Sequence, residues 1–358
     1  MTTPLRTGRT TGTCATAAAM AGTVFLLTGA RPATFMVPLP PGGHLEVPVA
    51  RYEHEGDAVR VTVVKDGGDD PDATHGCDIQ AVVEINQNDT DIMVVLVEGG
   101  IGVGVATLPG LPVAVGQPAI NPEPRRQIEA GVRHAAGPDF AGRVRVVVEV
   151  PDGERLAAKT MNPRLGIVGG ISILGTQGIV KPYSHDSWKA TVAEGLDVAR
   201  ALGLEHAVFT TGRRTERLYL DAFPHTPETA MIQAADFFEF SMDGAAQRGF
   251  IRVTWSLFFG KLVKQAQGLA YTHAKSHPVD FARLAELCVK AGCAPGLLPA
   301  IREANTARQV LDLLRADPAL PALLALLTAR AASAARAFSG GRCAVSYAVF
   351  DFDGQRLI

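Results

Sequence analysis

Residues 159–183, KTMNPRLGIVGGISILGTQGIVKPY, carry five glycines between short apolar pieces: Gly166, Gly169, Gly170, Gly175 and Gly178. Glycine tolerates positive φ and lets a second backbone or a ligand come close. Five in so short a span exceed what one turn requires. The pieces between them, Ile171-Ser172-Ile173-Leu174 and Ile179-Val180, read as brief buried strands. The spacing is not the G-x-G-x-x-G dinucleotide fingerprint, so no cofactor follows from it. Two readings stay open, a pair of tight strand connections or a loop that cradles a ligand.

The chain on either side of this stretch has two rhythms. Thr10-Thr11-Gly12-Thr13 reads as a turn and N-cap for an alanine-rich helix over about 14–27, ended by Gly29. Strands follow at 34–38, 44–52, 58–65, 78–86 and 91–98, forming one largely antiparallel sheet. A second glycine-rich loop, Glu98-Gly99-Gly100-Ile101-Gly102-Val103-Gly104, and a proline-rich passage lead to a helix over 124–136. Residues 1–140 are thus an α+β domain. From 143 a near-continuous apolar strand (143–150) opens a strand–helix alternation: helices at 184–202, 227–247 and 260–268, strands at 207–210 and 250–256. Unbroken apolar strands alternating with helices predict a parallel sheet covered on both faces, an α/β domain over 141–278. Residues 279–358 form a helical C-terminal extension ending in a strand at 343–350.

Charge and cysteine usage exclude several classes. The 34 basic and 36 acidic residues nearly cancel, leaving no footprint for nucleic acid or an acidic membrane surface. Five scattered cysteines, an odd number, suit a reducing cytoplasm better than a disulfide framework. Arg6 and Arg9 before a small-residue apolar run resemble a secretory signal, but the capped helix is the stronger reading. The alanine-rich stretch at 319–338, broken by Pro321, Arg330 and Arg336, is not a membrane span.

Chemistry concentrates in a few places. Lys65-Asp66-Gly67-Gly68-Asp69-Asp70-Pro71-Asp72-Ala73-Thr74-His75-Gly76 crowds four carboxylates, a lysine and a histidine onto one turn. Close carboxylates suit Mg²⁺ or Ca²⁺, but the pattern is not an EF-hand and Asp/Gly/Pro loops are ordinarily solvated turns, so no protein-bound metal is assigned. His75 and His185 stand at element boundaries, where an imidazole can act as base or ligand. Arg213 and Arg214 follow a parallel strand, where open α/β sheets bind ligands; paired arginines there suit carboxylates or phosphates. Gly260-Lys261 opens a helix but lacks the full phosphate-loop pattern.

Five segments occur in order: RTGRTTGTCATAAA (6–19), VKDGGDDPDATHG (64–76), EGGIGVGVATLPGL (98–111), GQPAINPEPR (116–125) and KTMNPRLGIVGGISILGTQGIVKPYS (159–184). In these the chain closely resembles the cobalt-precorrin-5B C1-methyltransferase family, to about residue 280. The resemblance implies an S-adenosylmethionine-dependent enzyme that methylates carbon 1 of a cobalt-containing corrin precursor, the cobalt belonging to the substrate. It also implies an α+β domain paired with a Rossmann-like one. Two places depart from the family pattern. Thr211-Gly212-Arg213-Arg214 stands where relatives often carry Pro-Gly-Asn, and Leu257-Phe258-Phe259-Gly260-Lys261 where many have Gly-His-x-Gly-Lys. Phe258 replaces that histidine, so no role for it carries over.

On this resemblance, His75 or His185 is the candidate base or axial ligand to the substrate's cobalt. Lys65, Lys159, Arg164, Lys181, Arg213 and Lys261 are candidates for the substrate's carboxylates. The methyl donor needs backbone donors and a carboxylate, for which Gly99, Gly100, Gly102, Gly169, Gly170 and Gly175 stand with Asp66, Asp69 or Asp70. The rival readings are an NAD-dependent α/β oxidoreductase, opposed by the missing fingerprint, and a corrinoid-binding carrier.

Overall fold

The computed structural model describes residues 4–87 and 91–358. The chain divides into two compact units at His185/Asp186.

The first unit is built around one helix. After β1 (Gly8–Arg9), α1 (Thr11–Thr28) begins at Thr10, whose Oγ1 accepts the Thr13 N–H, and ends on left-handed Gly29. Its alanines, glycines, Cys14 and all its threonines but the last, Thr28, are buried on every side, as expected of a helix without a polar face. By length and composition α1 could cross a membrane, yet 78% of it is buried within the protein. Small residues let its neighbours close in. A methyl group on Gly22 would press into Val83 and Val59 of the sheet.

The strands expected to form one sheet form two main ones. β2 (Thr34–Pro38) and β3 (His44–Pro48) make a separate hairpin. β4 (Arg51–Glu55), β5 (Ala58–Val64), β6 (Asp78–Asn86) and β7 (Met93–Gly99) belong to a five-stranded sheet. Beyond β8 (Val105–Ala106) and α2 (Pro122–Ala136), which packs on α1, comes β9 (Gly142–Glu149). The sheet order is β4-β5-β6-β9-β7, antiparallel except for the β7–β9 pair.

β9 corrects the expected boundary at residue 140. It is no buried strand of a second domain: Val144, Val146 and Val148 face the first core while Arg143 and Arg145 alternate with them. The unit closes with α3 (Gly153–Ala157), β10 (Ile167–Val168), paired to β8, and β11 (Ile179–Val180), paired to β1.

In the second unit, α4 (His185–Ala201) leads into β12 (His206–Thr210), α5 (Arg213–Ala222), β13 (Met231–Gln233), α6 (Phe238–Gln247), β14 (Arg252–Phe258) and α7 (Phe259–Ala266). Then come α8 (Phe281–Ala291), α9 (Leu298–Arg302), α10 (Ala307–Leu314), α11 (Leu320–Phe338) and β15 (Ala344–Phe350). The sheet, β13-β12-β14-β15, is parallel throughout. Its centre is aromatic, with Trp255 5.0 Å from Phe209 and 5.3 Å from Phe238, ring centre to ring centre.

Two expectations change here. The helix expected over 227–247 contains β13, whose three residues carry too little pattern to separate from α6. The extension at 279–358 is not a separate region either, because β15 pairs with β14 along all seven residues.

Candidate functional site

In the first unit the acidic loop is a junction. Arg9 donates its N–H to the Asp66 carbonyl and Asp69 donates its N–H to that of Arg6. The Asp66 carboxylate pairs with Arg6, accepts the Gly68 N–H at 2.9 Å and lies 3.5 Å from Arg9 Nη2. The Arg6 hydrogen bond, then that from Gly68, holds its carboxyl well below the usual range. Asp70 accepts the N–H of Tyr183 at 2.8 Å, fixing that residue at φ 56°, a left-handed backbone uncommon outside glycine.

Lys65 is 2% exposed and paired with Asp72 beneath the loop. Burial pushes the Asp72 carboxyl up, but Lys65 and the Thr74 hydrogen bonds outweigh it, and the net shift is downward. His75 Nδ1 accepts the Gly67 N–H at 3.0 Å. In the neutral ring that leaves the proton on Nε2, so the exposed side chain presents a donor.

The glycine loops close on one another and on α1. Ile171 donates to Gly102 O at 3.0 Å and accepts from Gly104 N–H at 2.9 Å, while Ile173 bonds Ala119 and Asn121 in the same manner. Thr13 Oγ1 donates to Gly178 O at 2.7 Å, and Thr11 Oγ1 accepts the Leu174 N–H at 2.9 Å. A methyl group on Gly99 would overlap Pro118, on Gly100 Glu149, on Gly102 the Val150 carbonyl, on Gly170 that of Gly102, and on Gly175 Thr10. Internal packing accounts for these five. Gly169, at φ 83°, has open space beside it. Gly99 also borders a cavity of 510 Å³ with Glu98, Gln117, Pro118 and Arg125. Arg145's hydrogen bond holds the Glu98 carboxyl below its ordinary value.

In the second unit a cavity of 540 Å³ opens at the carboxyl ends of β14 and β15. Phe258 and Phe352 stack on its wall at 5.1 Å, with the Arg214 guanidinium over both rings and Arg308 over Phe352. Lys261 contacts Asp236 and donates to Thr272 O at 3.1 Å, and Lys264 donates to the same carbonyl at 2.9 Å. Burial, then the Lys264 ammonium, pulls Lys261 down to about 8. The Asp236 carboxylate acts the other way, so the ammonium stays charged at neutral pH. Another cavity, 630 Å³ with His206, His225 and Arg252, lies at the amino ends of the strands, the end that open α/β sheets do not use for ligands.

The sequence candidates are therefore dispersed. Asp66, Asp69, Asp70, Lys65 and His75 share one loop. Lys159, Lys181 and Arg213 are exposed, Arg164 is half-buried, and exposed His185 opens α4. Among these candidates only Lys261 lines the second-unit cavity. Sequence reasoning missed Lys264, although its place three residues beyond Lys261 puts it on the same helical face. It also missed Arg308, whose placement depends on Thr306 capping α10 by accepting the Gln309 N–H.

Fold and site together define a two-unit α/β protein with a glycine-laced α+β half and a parallel-sheet half carrying a cationic, aromatic-walled cavity. The chain belongs to the CbiD family: the family model described as CbiD matches residues 1–182, and that described as CbiD, C-terminal domain, residues 271–358. A cobalt-precorrin-5B C(1)-methyltransferase of Nitratidesulfovibrio vulgaris is 49% identical, over 99% of this chain and 92% of that one. One from Geobacillus kaustophilus is 43% identical, over 99% and 94%. A 1.9 Å crystal structure of a cobalamin biosynthesis protein (cbiD) from Archaeoglobus fulgidus is 30% identical, covers 72% of this chain and 78% of that one, and has a TM-score of 0.39.

Proposed function

We propose that this chain transfers a methyl group from S-adenosylmethionine to carbon 1 of cobalt-precorrin-5B, giving cobalt-precorrin-6A, with the cobalt carried by the substrate. The observation that carries this is the 49% identity to a relative of that name along 99% of the chain. Its buried free thiols suit a reducing cytoplasm, and its four parallel strands serve as a Rossmann-like scaffold.

The methyl donor supplies an electrophilic methyl on a sulfonium. The protein's part is alignment, since an in-line displacement gains most from positioning. The cavity beside Gly99 suits the donor: the Glu98 carboxylate, shared with Arg145, attracts its ammonium and sulfonium, and Val97, Val113 and Pro118 give the adenine an apolar wall. Glu98 takes the role first considered for Asp66, Asp69 and Asp70 because it lines this cavity, as those three do not. Lys159, Lys181 and Arg213 are exposed and in no ion pair among the described residues, which leaves them available for substrate carboxylates, whereas Lys65 is committed to Asp72. His75, presenting Nε2–H, donates to the substrate, and His185 remains the candidate base.

The test is incubation of the purified protein with cobalt-precorrin-5B and S-adenosylmethionine carrying an isotopically labelled methyl. Label at carbon 1, located by NMR, supports the reading. Corrinoid binding without consumption of the donor would make the protein a carrier.

A further inference from the structure

The second-unit cavity holds more positive charge than the protein neutralises. Lys264 is 6% exposed, and its only hydrogen-bond partner among the described residues is the Thr272 carbonyl. An ammonium has three donors, and a buried cation without a counter-ion is costly. Lys261 beside it is paired with Asp236 and also reaches Thr272 Oγ1 at 3.3 Å, so among the described residues these two ammonium groups share one carboxylate and the carbonyl and hydroxyl of Thr272. Arg308 at the rim is shared with Asp312 and Asp353 at 3.9 and 3.5 Å. Burial lowers the ordinary value of Lys264, the response of a cation lacking a partner.

The backbone adds to this field. α7 starts at Phe259 without a side-chain cap, and the first turn of α10 lines the same cavity. Both helices are eight residues long and present partial positive charge at their amino ends. The apolar surfaces of Phe258, Phe281 and Phe352 line the same cavity.

We propose that this cavity is a carboxylate subsite for the tetrapyrrole substrate: an acidic side arm enters between Lys264, Lys261 and the start of α7, and the ring edge rests on Phe258 and Phe352. The inference rests on the methyltransferase reading and adds where one end of the substrate is held. The methyl donor is the wrong shape of charge for this place. Its single carboxylate would bring an ammonium and a sulfonium close to Lys261, Lys264 and Arg308, whereas a corrin rimmed with acetates and propionates offers carboxylates on an apolar frame without a nearby cation.

The experiment is calorimetric titration of the full chain with cobyrinic acid, a stable cobalt corrin polycarboxylate, and with its fully methyl-esterified form. The acid should bind about ten-fold tighter than the ester, the scale of one charge-assisted hydrogen bond. Lys264→Met keeps the buried stem and should weaken the acid about ten-fold while leaving the ester and S-adenosylmethionine unchanged. Arg308→Ala, on the exposed rim, should weaken the acid about three-fold. A folded Lys264→Met that binds the acid as tightly as the parent, or loses acid and ester equally, overturns the subsite. Should that variant not fold, an unchanged acid-to-ester ratio in Arg308→Ala does the same. If the parent binds neither corrin, the methyltransferase reading falls as well; if it binds both with one affinity, only the subsite falls.

Discussion

In the first unit the loops at 99–104, 150–153 and 166–178 meet backbone against backbone, with threonine hydroxyls of α1 as clamps. In the second, the edge that carries Lys261 and Lys264 stands on large side chains, Trp255 between Phe209 and Phe238 with Leu262 and Val263 of α7 in the same core. At Gly99, Gly100, Gly102, Gly170 and Gly175 the first arrangement leaves no room for an added methyl; the second depends on large side chains staying in place. The difference teaches how to read glycines. The motif most suggestive of a bound ligand is largely a packing device, while Lys264, a buried ammonium without a counter-ion among the described residues, lies in the unit whose sequence is plainer.

The sharpest test is to remove volume from the second unit. Trp255 is fully buried and donates Nε1–H to Met242 Sδ at 3.2 Å, so Trp255→Ala should cost about 4 kcal/mol. Urea denaturation followed by amide exchange should show the loss in residues 186–358. Adding volume is the converse. Gly102→Ala would set a methyl into the Val150 carbonyl on a backbone at φ 70°, and should cost the first unit about 3 kcal/mol. Gly268→Ala in the second unit has the same kind of backbone, φ 78°, with nothing near its Cβ, and should cost only about 1 kcal/mol. The chain's two tryptophans, Trp188 and Trp255, both lie in the second unit, so their fluorescence reports that unit's state. Equal losses in the two glycine variants would break the comparison.

Much of this was legible because it is local. Gly29 ends α1 as its position implies, and Thr10 caps it as Thr-Thr-Gly-Thr suggests. The parallel strands at 206–210 and 252–258 follow from unbroken apolar runs. Pairing across distance was not legible. β9 reads as apolar, but Arg143 and Arg145 give it one wet face and seat it between β6 and β7. β13 has three residues, too few for a period to show. At the site, the acidic loop announced itself by composition, yet its carboxylates serve Arg6, Lys65 and Tyr183. The isolated charge of Lys264 depends on where the Thr272 carbonyl comes to lie, which no spacing encodes.

The smallest expected effect sharpens the comparison most finely, because it separates two roles of one lysine. In the proposed subsite, Lys261 must be charged to hold a carboxylate. With its value near 8, affinity for cobyrinic acid should fall as pH rises through that value. Its contribution to stability runs the other way. Between about 8 and the ordinary lysine value of about 10.4 the unfolded chain holds the proton that the folded one has released, so this group's contribution rises with pH. Lys261→Arg stays charged throughout and should move the binding limb to higher pH while removing the opposite trend in stability. Calorimetry and denaturation across pH 7 to about 10 read the two slopes separately. Slopes of the same sign, or a binding limb that the arginine leaves in place, would mean that Lys261 serves Asp236 and the fold, as Lys65 serves Asp72 in the first unit.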